Sequence, residues 1–295
     1  MNVTKSHQAE TENPIDPVFG NPAYKYATKD GVRYFIEKNT DTIFQEEIPS
    51  VGNMEDYLDE QYTSGVYKAY NEARGFKIKT GLIRLEKIIS FGVKGKKCAD
   101  IGCSTGAFIE AADMFGFETE GFELSTEAIE LAPERIRKKI IRADVNQHLE
   151  STSQRYDLIT AYDILEHMQD PRAFLCSLKK SLEPSGVLAI ATPDTSHFLR
   201  RIMGVAWPML QPMQHTVLFS RKGLKKLLEE LGFIDVKIFR GQKVLTLRYL
   251  FDQVKEPSPS LGKFLSFISK FLPRVILDHK ISLNISEMFV VCRLK

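Results

Sequence analysis

From Lys97 onward, short apolar runs alternate with stretches of helical period. That rhythm is the signature of repeated βα units around a parallel sheet. It places strands near 97–101, 118–123, 139–142, 157–161 and 186–191, with helices starting near Thr105, Ser125, Pro171 and Ser196. A further helix runs from Arg221 to Leu231, and Gly232 follows where a left-handed cap costs glycine least. Phe233 to Phe239 reads as a sixth strand and Glu287 to Leu294 as a last one. Between these two strands lie Val244 to Val254 and Leu261 to Leu272, separated by Pro257-Ser258-Pro259 and read as a helical link rather than a tight hairpin. Leu261, Phe264, Leu265, Ile268, Phe271 and Leu272 share one helical face, with Lys263 and Lys270 away from it, as suits a lid or a homodimer contact.

Upstream the pattern is looser. Residues 1–20 are polar and without hydrophobic period, which predicts a disordered terminus. Tyr34-Phe35-Ile36 and Ile43-Phe44, set between turn residues such as Asp30-Gly31, predict a small strand-rich unit from Tyr24 to Ile48. Helices are expected over Met54 to Tyr62 and Val66 to Arg74, and again over Ile78 to Phe91, where Ile78, Leu82, Leu85, Ile88 and Ile89 recur at helical spacing. The expected organisation is a terminus (1–20), a cap (21–76) and an α/β domain (77–295) with a helical insertion at about 244–280. Its fold class is a Rossmann-like doubly wound sheet, mostly parallel and seven-stranded.

Composition narrows the function. Forty basic and thirty-eight acidic residues leave a formal charge of +2, too little to hold a nucleic-acid backbone by electrostatics. The four cysteines, Cys98, Cys103, Cys176 and Cys292, form no CxxC pair, so neither a disulfide framework nor a zinc ribbon is indicated, and no metal site is expected. No apolar run approaches a membrane span and Met1 to Gly20 has no signal-like core, which points to a cytoplasmic protein.

The chemistry concentrates at the carboxyl ends of the strands. Lys97-Cys-Ala-Asp-Ile-Gly102 is a strand ending in a carboxylate and a glycine, and Cys103-Ser-Thr-Gly106 is a tight turn opening a helix. Glycine there lets a ligand touch main-chain atoms, and Asp100 is placed to meet a positive group. An ammonium suits it and a pyrophosphate does not. The second strand ends in Glu123, whose carboxylate can accept both hydroxyls of a ribose, followed by Leu124-Ser125.

These residues resemble class I methyltransferases that use S-adenosylmethionine, especially the ubiquinone-biosynthesis type and related bacterial small-molecule enzymes. The resemblance covers about Ile88 to Phe239. Asp100, Gly102 and Gly106 match the family's acidic and glycine positions, while Ser104 stands where a middle glycine is usual. The resemblance implies that Asp100, Gly102, Cys103 and Gly106 line the methionine part of the cofactor. It also implies that Glu123 and Leu124 hold the ribose and adenine edge, and that Asp144-Val145 meets the adenine amino group. By spacing alone, Arg142-Ala-Asp144 could equally be a surface turn with an ion pair. The family has a similar Leu-Glu-His and Asp-Pro pair after the fourth strand, where Tyr162-Asp-Ile-Leu-Glu-His167 and Asp170-Pro171 stand here. Tyr162 joins the expected cofactor wall.

Methyl transfer from a sulfonium is an in-line displacement that alignment and desolvation can drive, so a base is optional. If a hydroxyl must lose its proton, His167 or His215 is the candidate, with a helix-start residue making a structural hydrogen bond the alternative for His167. Trp207 and His215, in the connection after the fifth strand, are the acceptor-pocket candidates, with core packing the alternative for Trp207. The expected acceptor is a small molecule such as a sugar, a polyketide-like metabolite or a quinone precursor. A non-catalytic nucleoside-binding regulator is the alternative from another class. A nicotinamide oxidoreductase fits less well, because Gly-x-Gly-x-x-Gly is absent and Asp100 would face a pyrophosphate.

Overall fold

The computed structural model describes residues 14–47, 74–145, 148, 153–212, 214–253 and 259–295. The helices expected within 54–73 lie outside the described residues, as does most of the polar terminus.

Three antiparallel strands open the described chain: β1 (Tyr24–Lys29), β2 (Val32–Glu37) and β3 (Thr42–Gln45). Helix α1 (Arg74–Phe91) leads into β4 (Lys97–Ile101), α2 (Ala107–Met114) and β5 (Glu118–Glu123). Two short helices, α3 (Thr126–Glu130) and α4 (Glu134–Arg137), precede β6 (Ile140–Arg142). Then come β7 (Tyr156–Tyr162), α5 (Pro171–Lys180), β8 (Leu182–Pro193) and α6 (Phe198–Met203). The two-residue β9 (Val217–Leu218) is followed by α7 (Arg221–Glu230) and β10 (Phe233–Arg240). The main sheet has the order β10-β13-β8-β7-β4-β5-β6, where β13 is Glu287–Leu294. Strands β4 to β8 are parallel and β13 runs against both β8 and β10. This is the mostly parallel seven-stranded sheet that the sequence predicts.

Local chemistry sets the helix starts. Ser125 and Ser220 each accept a backbone N–H three residues on, as does Asp170, with Pro171 in the first turn behind it. Period-two alternation splits the strands between two cores. Ile159, Leu188, Ile190 and Val290 join one, on the side of α5 and α7, while Leu158, Val187, Ala189 and Val291 pack with α1 and α2 on the other.

Two features differ from the expectation. The strand-rich cap is completed by a distant segment, because β9 pairs with β3 to give the order β1-β2-β3-β9. That is why all four β3 residues are buried. The insertion is also not purely helical. β11 (Lys243–Thr246) pairs antiparallel with β12 (Lys280–Leu283), and only then do α8 (Leu247–Gln253), α9 (Pro259–Ser269) and α10 (Arg274–Leu277) fill the space between. Val244 and Leu245 take a partner strand in Ile281 and Ser282, so the cross-strand pairing overrides the helical spacing read locally. Phe271, assigned to the apolar face, lies past the end of α9 and is exposed, and so are Phe267 and Val275. Among the described residues no helix is long and apolar enough to cross a membrane.

Candidate active site

Parallel register places Asp100 on β4 beside Thr160 on β7, whose hydroxyl donates to Asp100 Oδ1 at 2.7 Å. Burial of the carboxylate raises its pKa to about 7, against the Thr160 bond and the nearby Arg84 guanidinium, which lower it. The turn after β4 reverses through left-handed residues, Gly102 (φ 66°), Ser104 (φ 51°) and Gly106 (φ 70°). A Cβ on Gly102 would lie 2.1 Å from the Ile164 side chain, and one on Gly106 2.3 Å from Ile136. Both positions therefore require glycine for conformation and for space. Ser104 adopts the left-handed backbone in spite of its side chain. Cys103 packs against Gly121 and burial pushes its thiol well above the ordinary range, so it serves as an inert wall.

At the end of β5, Glu123 closes the turn. Its Oε2 accepts the Ser104 N–H at 2.8 Å, and its Oε1 accepts those of Leu124 and Ser125 at 2.9 Å each. Beyond β6, Asp144 accepts the His148 backbone N–H through its main-chain oxygen, and Asp144 and Val145 are half-buried.

A cavity of 1140 Å³ opens at this edge of the sheet. Asp100, Gly102, Cys103, Tyr162 and Trp207 line it, whereas Gly106, Glu123, Leu124, Asp144, Val145, His167 and His215 lie outside its lining. The structure thus brings the first turn and the proposed acceptor wall onto one space. The second- and third-strand residues sit along the same sheet edge, beyond that space.

Opposite the turn stands a charged wall that sequence reasoning missed. Lys77, Thr80, Gly81 and Arg84 face the cavity from α1 at spacings of three, four and seven. Arg84 Nη2 donates to Glu287 Oε1 at 2.7 Å, and its guanidinium stacks 4.4 Å from the Tyr162 ring centroid. Lys243 joins Glu287 at 2.8 Å and Asp163 at 3.1 Å. Burial opposes ionisation of Asp163, but Lys243 and Arg84 outweigh it and hold its carboxyl at about 2. The Tyr162 hydroxyl is buried and has no hydrogen-bond partner among the described residues. An arginine amid the apolar positions Leu82, Leu85 and Ile88 was the available signal.

Trp207 is fully buried against Tyr34, Ile43, Leu210 and Leu218, and its Nε1 donates to Ser286 Oγ at 3.1 Å. It is both a core residue and part of the cavity wall. His167 and His215 meet edge to face, ring centroids 4.9 Å apart, beside Glu166. His167 Nδ1 lies 3.0 Å from the Gln214 carbonyl and His215 Nδ1 2.7 Å from that of Met209. Burial, with His167 beside it, holds the His215 imidazole down at about 3 and so neutral. Burial, with Asp163 nearby, raises the Glu166 carboxyl to about 8.

Residues 70–238 match the model of a family described as a methyltransferase domain. The chain belongs to that family, and it is an S-adenosylmethionine-dependent methyltransferase with the Rossmann-like fold of class I. It is 26% identical over 167 residues to the ubiquinone biosynthesis O-methyltransferase of Klebsiella pneumoniae, covering 54% of this chain and 68% of that one. The enzyme of the same name from Photorhabdus laumondii is 26% identical over 176 residues, covering 57% and 72%. Among solved structures, magnesium protoporphyrin IX methyltransferase from Synechocystis has the same fold, with a TM-score of 0.54 at 11% identity over 83% of this chain and 100% of that one. Phosphoethanolamine N-methyltransferase 2 from Haemonchus contortus shares it too, with a TM-score of 0.53 at 20% identity over 85% and 61%.

Proposed function

We propose that the protein methylates a hydroxyl of a small aromatic acceptor, of the polyketide-like or quinone-precursor kind, held in the 1140 Å³ cavity. The observation that carries this reading is the cavity's two-sided lining. Asp100, Gly102 and Cys103 stand on one side, and Leu199, Met203, Trp207, Met209 and Leu210 form an apolar face on another. A wall of that kind favours a ring over a sugar, whose hydroxyls would go unpaired there. The relatives named for ubiquinone O-methylation support oxygen as the methylated atom.

The cofactor brings a methyl group already activated on sulfur. In this reading buried Asp100, raised to about 7 when alone, takes its ammonium. The Gly102-to-Gly106 turn admits its methionine part to the main chain, with Cys103 as packing and the Tyr162 hydroxyl, without a partner among the described residues, offering a further bond. Glu123, fixed at the end of β5 by the Ser104, Leu124 and Ser125 N–H groups, receives the ribose hydroxyls, Leu124 covers the adenine edge, and Asp144 with Val145 meets the adenine amino group. The protein's remaining contribution is to align acceptor and methyl and to exclude water.

Calorimetric titration with S-adenosylmethionine, repeated on Glu123→Ala and Gly102→Val, tests the cofactor half. Wild-type binding weakened at least tenfold in both variants is expected, and a wild type that does not bind would sink the reading. The acceptor half is tested with methyl-labelled cofactor and matched panels of catechols and sugars. Labelled catechol ether is the expected product, and label in sugars alone would overturn the acceptor assignment.

A further inference from the structure

His167 and His215 lie outside the cavity lining, yet a third histidine reaches the cavity through one hydroxyl. Ser286, 2% exposed, lines the cavity just before β13. Glu287 is registered against Pro193 of β8, and Tyr162 of β7 against Ala191. Ser286 therefore sits at the carboxyl ends of β8 and β7, the edge onto which Asp100 and the Gly102 turn also open. Its left-handed backbone (φ 70°) is fixed by the Asp194 N–H, which donates to its carbonyl at 2.8 Å.

The hydrogen bonds around the Ser286 hydroxyl have one consistent direction. An indole N–H can only donate, so Trp207 Nε1, at 3.1 Å, occupies one lone pair of Ser286 Oγ. His197, the N-cap of α6, accepts the Leu199 backbone N–H on Nδ1 at 3.3 Å. That nitrogen must be bare, which puts the proton of the neutral ring on Nε2. The Ser286 hydroxyl, 3.1 Å from the same Nδ1, therefore donates to it. The second lone pair of Oγ has no partner among the described residues, and it belongs to a residue of the cavity wall. The wall thus presents a hydrogen-bond acceptor with a base behind it. Burial, helped by Arg221 on α7 and Arg240 at the end of β10, keeps the His197 imidazole below its ordinary value, against the pull of Asp194 just past β8. At pH 7 the ring is neutral and able to take a proton.

We propose that Ser286 receives the acceptor hydroxyl and relays a proton to His197. The use of this pair rests on the proposed function, methylation of a hydroxyl. The acceptor O–H donates to the open lone pair of Ser286 Oγ. As the acceptor oxygen takes the methyl carbon, the carbon–sulfur bond breaks with its electron pair left on sulfur. The acceptor proton moves to Ser286 Oγ while the Ser286 proton moves to His197 Nδ1. Once the ether has left, a proton returns from His197 through Ser286 to water in the cavity, which restores the starting tautomer. The pair is silent in the sequence because its members stand 89 positions apart.

Two measurements on the full chain test the relay. The first needs no acceptor: nitrogen NMR of histidine-labelled protein, with the His197 signals identified by their loss in His197→Asn. A bare Nδ1 with Nε2–H is expected at pH 8, shifted in Ser286→Gly, with protonation only below about pH 6.5. A ring carrying its proton on Nδ1 overturns the proposal. The second is kcat at pH 8, at saturating cofactor and acceptor, for catechol and for a nitrocatechol whose hydroxyl is already ionised at that pH. Ser286→Gly, which suits the left-handed backbone, and His197→Asn should each lower kcat on catechol roughly 100-fold or more, and on the nitrocatechol by no more than about threefold. Wild-type kcat on catechol should fall on the acid side as His197 protonates, and the residual rate of His197→Asn should lack that acid limb. Equal losses on both acceptors mean a structural role and overturn the relay. Retained S-adenosylmethionine binding in the variants shows that they are folded. Catechols that the wild type leaves unmethylated sink the acceptor assignment instead, and the relay then stands or falls on the His197 tautomer and its response to Ser286→Gly.

Discussion

Asp100 shows how much one buried group can govern. With its pKa raised to about 7 by burial, the free protein binds a proton there that the unfolded chain has lost by about pH 4. A carboxyl shifted upward contributes stability that is full below the unfolded value and is lost as pH rises through the folded one. Asp100→Asn should therefore leave thermal stability near wild type at pH 4 and raise it at pH 8, by up to on the order of 4 kcal/mol. Cofactor binding should show the opposite dependence. An ammonium beside Asp100 favours its ionised form, so wild-type affinity should rise with pH up to about 7, by as much as tenfold per unit, and then level off. The Asn variant should lose that dependence and bind roughly 10- to 100-fold more weakly at pH 8. Calorimetry across pH with melting curves on the apo protein measures both. A pH-independent wild type would remove Asp100 from the ammonium site.

At the scale of elements, the buried pair of Arg84 on α1 and Glu287 on β13 ties the helix to the strand next to the β10 edge of the sheet. Glu287→Leu strands the Arg84 guanidinium and should cost about 3–5 kcal/mol, read from denaturant midpoints. Lys243 keeps Asp163 as a partner in that variant. Replacing both members, Glu287→Leu with Arg84→Met, should recover most of the loss, because what destabilises is the unpaired charge and not the missing bridge. A double variant no more stable than the single one would contradict that account. The same elements show what the sequence makes legible. Strands β4, β7 and β10 announce themselves because apolar residues cluster in each between turn residues, whereas the polar β5 is legible only from the rhythm of the βα units around it. The Asp100-to-Gly106 turn, whose left-handed positions call for glycine, announces itself too. The β11–β12 pair and the Arg84–Glu287 bridge join residues more than thirty positions apart, and nothing local marks Lys243–Thr246 as a strand when Leu247 to Tyr249 continue at helical spacing. The Glu166–His167–His215 cluster is hidden for the same reason. In sequence His167 and His215 read only as separate candidate bases, Glu166 carries no reading of its own, and only the fold sets the three side by side.

For the whole molecule, the cap is held into the α/β layer rather than laid over it. Val18, Ala23, Phe35 and Phe44 belong to the same buried cluster as Ile159, Phe174, Leu188 and Val290 of the main sheet and its helices. Polar stitches follow the same seam. Lys29 Nζ donates to the Leu210 carbonyl at 2.6 Å, Thr195 Oγ1 to that of Asp41 at 2.7 Å, and β3 pairs with β9. Removing residues 1–47 would uncover Trp207, Val217, Leu218 and Phe219, all now buried, and would leave the β9 backbone without its ladder partner. Large apolar surfaces exposed together cost about 25 cal/mol per Å², so the truncated chain should lose its cooperative melt and bind a hydrophobic dye such as ANS strongly. Removing residues 1–13 alone spares every one of these contacts and should leave the melt unchanged. A 1–47 deletion that melts cooperatively near the wild-type temperature would mean that the α/β layer closes its own core. The cap would then be a removable cover over the cavity and not part of its wall.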